Sequence, residues 1–157
     1  MTGVCVIGVG NPYRRDDAAG LAVARAVGTA APPGVRVREH DGEPASLLDL
    51  WADAESAFVV DMVRSGAPSG TVHWIDISGG GDLPPPSPGR SSSHYFNLGD
   101  AVGLGRMLDR LPARLTLVGV EGADHRAGCG LTHDVALGVR EATRRILRSI
   151  QETDRRS

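Results

Sequence analysis

The first part of the chain contains the pattern that most limits its fold. An apolar run at Val4–Val9 is followed by a glycine turn, two adjacent acids and a helical pattern, in VCVIGVGNPYRRDDAAGLAVARAV. Strand, tight turn and helix in this order place a site at the carboxyl end of a parallel sheet. Because Asp16 and Asp17 stand at the helix start, where a phosphate-binding turn has glycines or a lysine, the pattern favours a cation over a phosphate.

Strand and helix patterns alternate along the rest of the chain. Strand patterns occupy residues 4–9, 35–40, 57–60, 71–77 and 114–120. With the intervening helices, this order predicts an α/β three-layer sandwich: a mostly parallel five-stranded sheet with one antiparallel edge strand and helices on both faces. The connection at residues 63–70 is too short for a parallel crossover, so we expect the third and fourth strands to form an antiparallel hairpin.

Length, charge and cysteine content limit the class of protein. The 157 residues fit a single domain spanning residues 1–157, which we expect to be a monomer. A net charge of −2, without a basic block before the arginine-rich end, argues against nucleic acid as a partner. No run of about 18 apolar residues predicts a membrane span. Cys5 and Cys129 do not look paired, and the apolar start predicts a strand rather than a signal peptide, so we expect a cytoplasmic protein.

Polar side chains that could carry chemistry follow each predicted strand. Asp17 follows the first strand, Asp41 the second and Asp61 the third, the loop after the fourth ends at His94, and Glu121 follows the fifth. The carboxyl ends of parallel strands meet at one edge of a sheet, where α/β proteins bind ligands. Two aspartates and a histidine are suitable ligands for a divalent metal such as nickel or zinc.

Each of these residues also has a purely structural interpretation. Asp16 or Asp17 can cap the following helix, and Asp41 can form an Asx turn. His94 can be an ordinary loop histidine. Asp61 is the hardest to explain by structure alone, because it follows a buried apolar strand.

The opening motif resembles that of a known family. GVGNPYRRDDAAG is similar to the motif of the nickel–iron hydrogenase maturation endopeptidases, in which G-x-G-N precedes D-[D/E]-G-x-G; here Ala18 replaces the first glycine of the second element. The resemblance continues in the same order through DGEPASLLDLW at 41–51, VVDMVRSGAPSG at 59–70, SSSHYFNLGDAVGL at 91–104 and LVGVEG at 117–122. It therefore covers most of the chain.

This resemblance implies an endopeptidase that removes a C-terminal extension from a hydrogenase large-subunit precursor after nickel insertion. It implies that Asp17, Asp61 and His94 bind metal and that Asp41 is a further catalytic candidate. The family recognises nickel in the substrate, so we expect no tightly bound cofactor of the protein's own. With this assignment, Asp16 caps the helix and Asp17 faces the metal.

Other classes of function stay open from the sequence. One is a self-contained hydrolase with a tightly bound zinc, and another is a chaperone-like module that binds metal or precursor without cutting it. A nucleotide-binding module is disfavoured, because Tyr13 stands where the third glycine of a dinucleotide motif belongs.

Overall fold

The computed structural model describes residues 3–77, 98–124 and 126–156. Its elements, in chain order, are β1 (Val4–Val9), a 3₁₀ turn (Arg15–Ala18), α1 (Ala19–Ala30), β2 (Val35–His40), α2 (Pro44–Trp51), β3 (Ser56–Val63), β4 (Val72–Asp76), α3 (Gly99–Met107), β5 (Arg114–Glu121) and α4 (His133–Arg156). All the strands predicted from the sequence are present. None of the helices in the described ranges is both long and apolar enough to cross a membrane.

The strands form a five-stranded sheet in the order β2-β1-β3-β5-β4. β1, β2, β3 and β5 are parallel, whereas β4 pairs antiparallel with β5 at the edge. The central strand β3 places Val60 beside Gly8 of β1 and Val118 of β5. The predicted α/β class, with one antiparallel edge strand, is therefore confirmed.

The predicted hairpin between the third and fourth strands is wrong. β5 lies between β3 and β4, with Val72 opposite Val120. The chain that leads into β4 is bound to β5, since Gly70 N–H donates to the Glu121 carbonyl and Glu121 N–H to the Thr71 carbonyl, both at 2.8 Å. Adjacent strands are only about 4.8 Å apart, so this connection can pass one strand. Its length excludes a parallel crossover but does not require the two strands to pair.

Helices cover both faces of the sheet, as predicted. On one face, α1 and α4 pack on the sheet through residues such as Val6, Val23 and Ile146, which we call the α1/α4 core. On the other face, α2 and α3 pack on the sheet around Ile7 and Trp51, which we call the α2/α3 core. Successive strand residues point to opposite faces, so β1, which is buried throughout, contributes to both cores.

Glycines allow the start of α1 to touch the sheet backbone. A Cβ atom on Gly20 would overlap the carbonyl oxygens of Val9 and Val60, and one on Gly8 would overlap the Gly20 carbonyl. Only a hydrogen atom fits at these positions. The 3₁₀ turn and α1 therefore begin directly beside the carboxyl ends of β1 and β3.

Candidate functional site

An open pocket of about 640 Å³ lies at the carboxyl edge of the parallel strands. It is lined by Val9, Gly10, Asn11, Pro12, Tyr13, Arg14, Asp17, Asp41 and Asp61. The lining comes from the end of β1, the turn that follows it and three carboxylates carried by other segments. The pocket thus brings together three of the predicted site residues, at the edge where α/β sheets bind ligands.

Asp61 reaches this pocket from the central strand β3. Its side chain is almost fully buried, with 1% of the residue exposed. The Oδ1 atom accepts a hydrogen bond of 2.8 Å from the Met62 N–H. Burying a carboxylate costs free energy unless the group has partners, and Asp61 differs from Asp16 and Glu121, the other two acids buried in the described part of the chain, in lining the pocket.

Asp17 reaches the pocket from the 3₁₀ turn, where it is half-buried. Its backbone is held closely on two sides. The Asp17 N–H donates to the Arg14 carbonyl at 2.9 Å, and the Asp17 carbonyl lies where a Cβ of Gly10 would be. The turn therefore fixes the backbone from which the Asp17 side chain enters the pocket.

Asp41 lies at the rim, with 83% of its side chain exposed. Its Oδ1 accepts the Glu43 N–H at 3.0 Å, so the Asx turn considered from the sequence is present while Asp41 also lines the pocket. His40 Nδ1 lies 3.6 Å from Asp41 but accepts the Gly42 N–H at 2.8 Å. That hydrogen bond assigns the His40 proton to Nε2, which lies 2.8 Å from the Ser46 hydroxyl.

The prediction that Asp16 caps the helix is wrong. No described side chain caps the 3₁₀ turn or α1. Asp16 is fully buried, and its carboxylate accepts the backbone N–H groups of Ala123, Asp124 and Thr132 at 2.7 to 2.9 Å. The Thr132 hydroxyl also donates to it, at 3.0 Å. Asp16 therefore fastens the loop after β5 to the turn that carries Asp17.

Further bonds hold this loop against the pocket turn. Gly128 N–H donates to the Tyr13 carbonyl at 2.8 Å, and Arg15 N–H donates to the Gly128 carbonyl at 3.1 Å. The Asp124 carboxylate accepts two hydrogen bonds, of 3.0 and 2.9 Å, from the Arg126 guanidinium and lies 3.6 Å from that of Arg15. The hydrogen bonds from Arg126 hold the pKa of Asp124 well below its usual range. The loop after β5 is thus a firm support for one side of the turn.

Glu121 has a structural position that the sequence did not reveal. It is 2% exposed and is not among the residues that line the pocket. Its carboxylate accepts the Ser65 hydroxyl at 2.5 Å and the Ser65 N–H at 2.9 Å, and it lies 3.1 Å from His73 Nε2. It therefore joins β5 to β4 and to the connection after β3. Because Ser65 and His73 lie 56 and 48 positions before Glu121, the sequence close to Glu121 does not indicate this role.

The fourth predicted site residue, His94, lies outside the described residues. Among the residues that are described, no group of three or more His, Cys, Asp or Glu side chains is placed to hold a metal ion. The described part of the site offers the hard oxygen donors of Asp17, Asp41 and Asp61. Such donors suit a cation that receives its other ligands from elsewhere.

Fold and pocket together define a three-layer α/β protein with carboxylates grouped at its ligand-binding edge. Comparison with solved structures narrows this class: the chain has the fold of the hydrogenase maturation endopeptidases. The endopeptidase HybD from E. coli superimposes with a TM-score of 0.75 at 24% identity, over 98% of this chain and 94% of that one.

Two archaeal structures agree with this finding. The hydrogenase 2 maturation peptidase from Thaumarchaeota archaeon SCGC_AB-539-E09 has a TM-score of 0.70 at 21% identity, over 96% of this chain and 99% of that one. HycI from Thermococcus kodakarensis KOD1 has a TM-score of 0.70 at 18% identity, over 94% of this chain and 91% of that one. No protein-family model and no curated protein matches the sequence. At sequence identities of 18 to 24%, these comparisons show that the proteins share a fold.

Proposed function

We propose that this protein is an endopeptidase that removes the C-terminal extension of a nickel–iron hydrogenase large-subunit precursor after nickel insertion. The observation that carries the proposal is the grouping of Asp17, Asp41 and Asp61 in one open pocket. The fold around that pocket is shared with proteins named as hydrogenase maturation endopeptidases. The precursor is the partner, and the protein acts on it as a cytoplasmic monomer, without nucleic acid or membrane.

In the proposal, the nickel-loaded precursor is recognised by carboxylates that line one pocket from separate elements. Asp61 extends from the central strand and Asp17 from the 3₁₀ turn, so the two side chains line one pocket from separate elements. In the proposal their carboxylate oxygens, with His94, complete the coordination of a nickel ion that substrate thiolates already hold. Nickel thus arrives as part of the substrate, and the protein has no tightly bound cofactor of its own.

Hydrolysis then needs a water molecule close to the scissile bond. A water polarised by the substrate's ion or by a carboxylate attacks the peptide carbonyl, and its proton passes through a carboxylate to the departing amine. We propose Asp41, which is exposed at the rim, as the carboxylate for that proton transfer. The products are a large subunit with a new terminal carboxylate and a free peptide.

A cleavage assay tests the function directly. Purified protein is incubated with nickel-loaded and with nickel-free precursor, and precursor mass is followed by mass spectrometry. We expect cleavage of the nickel-loaded form alone. Asp17→Asn and Asp61→Asn each remove an anionic ligand and should slow cleavage by about 100-fold or more. Asp53→Asn is the matched control, since Asp53 is exposed and lies outside the pocket lining.

Three outcomes would contradict the proposal. Full-rate processing by Asp17→Asn or Asp61→Asn would remove these residues from the site. Stoichiometric zinc in the purified protein would favour a self-contained zinc hydrolase. Tight binding of the precursor with no change in its mass would favour a chaperone-like module.

A further inference from the structure

The pocket contains one feature that the proposed chemistry does not use. Arg14 lines it together with the three acids, and its side chain is exposed. Across the described part of the chain, the Arg14 guanidinium makes no hydrogen bond or ion pair. Some other arginines are paired: Arg15 lies 3.6 Å from Asp124, and Arg25 bonds Glu39 at 2.7 Å. The cation beside the acids is therefore left available for a ligand.

The backbone of Arg14 is nevertheless well fixed. Its N–H donates to the Asn11 carbonyl at 3.3 Å, and its carbonyl accepts the Asp17 N–H at 2.9 Å. Asn11 Oδ1 also accepts the Tyr13 N–H at 2.9 Å, and a bridge joins Arg14 to Gly128. Because the Arg14 backbone is already held in place, binding of a ligand by the guanidinium restricts mainly the Arg14 side chain. The entropic cost of ordering this residue is therefore low.

The chemistry of the side chain selects its ligand. A guanidinium presents a rigid fork of N–H donors that matches a carboxylate, often through two parallel bonds. The other charged residues of the described lining are all aspartates, so an anionic part of a bound peptide is attracted to Arg14 and repelled by them. The pocket thus has an end for cations at the aspartates and a position for an anion at Arg14.

We propose that Arg14 binds a carboxylate of the substrate's C-terminal extension and so orients the peptide across the pocket. The inference rests on the proposed function and adds a specificity-determining residue to it. The carboxylate belongs either to an acidic side chain of the extension or to its C-terminus. Both have the chemistry that the fork recognises.

Kinetics and binding of nickel-loaded precursor test this role. We expect Arg14→Gln to raise KM and the precursor Kd at least about tenfold, which is the size expected for a lost charge-assisted hydrogen bond, with kcat within about twofold. Arg14→Lys keeps the positive charge but lacks the planar pair of N–H donors, so its KM should lie between those of the wild type and Arg14→Gln. Arg140→Gln is the matched control, because Arg140 is exposed on α4, outside the pocket lining. It should leave KM and Kd unchanged.

Two altered precursors identify the carboxylate. In one, the acidic side chains of the extension become amides; in the other, two added glycines move the terminal carboxylate away. The change that removes the carboxylate bound by Arg14 should raise KM for the wild type and have no further effect on Arg14→Gln.

Separate results contradict the two proposals. A KM and Kd for Arg14→Gln equal to the wild-type values would overturn the role of Arg14, as would precursor changes that act equally on both proteins. A wild-type protein that cuts no precursor would contradict the endopeptidase function. In that case the Kd comparison still decides whether Arg14 binds the extension.

Discussion

Asp16 and Asp17 are neighbours in the chain but have different surroundings. Asp16 is buried beneath the loop after β5 and accepts its N–H groups, whereas Asp17 lines the pocket. In a 3₁₀ turn, successive side chains point about 120° apart. One acid can therefore support the turn from inside while the next faces a ligand, and the two should respond differently to substitution.

Replacing Asp16 tests its supporting role. Asp16→Ala removes the acceptor of three partly buried hydrogen bonds from backbone N–H groups and of the Thr132 hydroxyl, so we expect a loss of about 3 kcal/mol in the free energy of unfolding. Urea unfolding measures this loss. Asp53→Ala, at an exposed position, should change stability by less than about 0.5 kcal/mol. A similarly small loss for Asp16→Ala would show that water replaces the carboxylate.

Among the elements, α2 depends on an acidic cap that we did not predict from the sequence. Glu43 accepts the Ala45 N–H at 2.9 Å and the Ser46 N–H at 2.8 Å, with Pro44 in the first turn. These hydrogen bonds, chiefly from Ser46, lower the pKa of Glu43 below its ordinary value. The helix then buries Trp51 in the α2/α3 core. The cap thus fixes the start of α2 close to Asp41 at the pocket rim.

This cap should make stability depend on pH. Because the pKa of Glu43 is lower in the folded state, its stabilisation is complete above the unfolded pKa, near 4.5, and is lost as pH falls through the folded pKa. Glu43→Gln resembles the protonated acid, so wild type should be the more stable at pH 7, and the two should begin to converge below about pH 4.5 and become equal only below the folded pKa.

Urea unfolding of both proteins between neutral and acidic pH measures this convergence. Glu55→Gln is the control, since Glu55 is exposed and lies outside α2. A difference between wild type and Glu43→Gln that stays constant with pH would show that the ionised cap contributes nothing.

At the scale of the whole molecule, the sheet lies between two cores. Trp51 is fully buried in the α2/α3 core. Trp74 packs on the α1/α4 core, 5.8 Å from the Phe58 ring centre and with the Arg145 guanidinium 4.7 Å above its ring. These are the two tryptophans of the chain, so each face has its own fluorescent probe.

Ile146→Ala tests whether the two cores unfold together. Ile146 is fully buried in the α1/α4 core, so its truncation should cost about 3 kcal/mol. In a Trp74→Phe background, Trp51 fluorescence reports on the opposite face, and its unfolding transition should shift as far as that seen by circular dichroism. Leu137→Ala, at a position 48% exposed on the same helix, should change little. A Trp51 transition that does not shift would mean that the faces unfold separately.

The sequence was sufficient for the elements of this fold but not for all their pairings. Apolar runs and helical spacing located the five strands and the helices between them, because burial imposes those periods locally. The position of β4 beside β5 was not predictable from the length of one connection. It depends on bonds such as those of Gly70 and Thr71 to Glu121, between residues about 50 positions apart.

The site shows the same limit. Strand order was enough to bring Asp17, Asp41 and Asp61 to one edge, and the structure groups them in one pocket. Their catalytic roles and the part of His94 stay predictions. The role of Asp16 was missed because the groups that bind it lie 107 to 116 residues further along the chain.

The absence of side chains at Gly8 and Gly20 affects which positions of this protein can accept substitutions without moving the pocket acids. Where α1 meets the sheet, the spacing is set by one main chain resting on another, so exchanging neighbouring side chains does not alter it. Asp17 and Asp61 sit on the two parts joined there. The rim residues Tyr13 and Arg14, by contrast, are exposed. If the rim binds a peptide as proposed, its residues can therefore change to suit a new peptide while the distance between the two acids is kept.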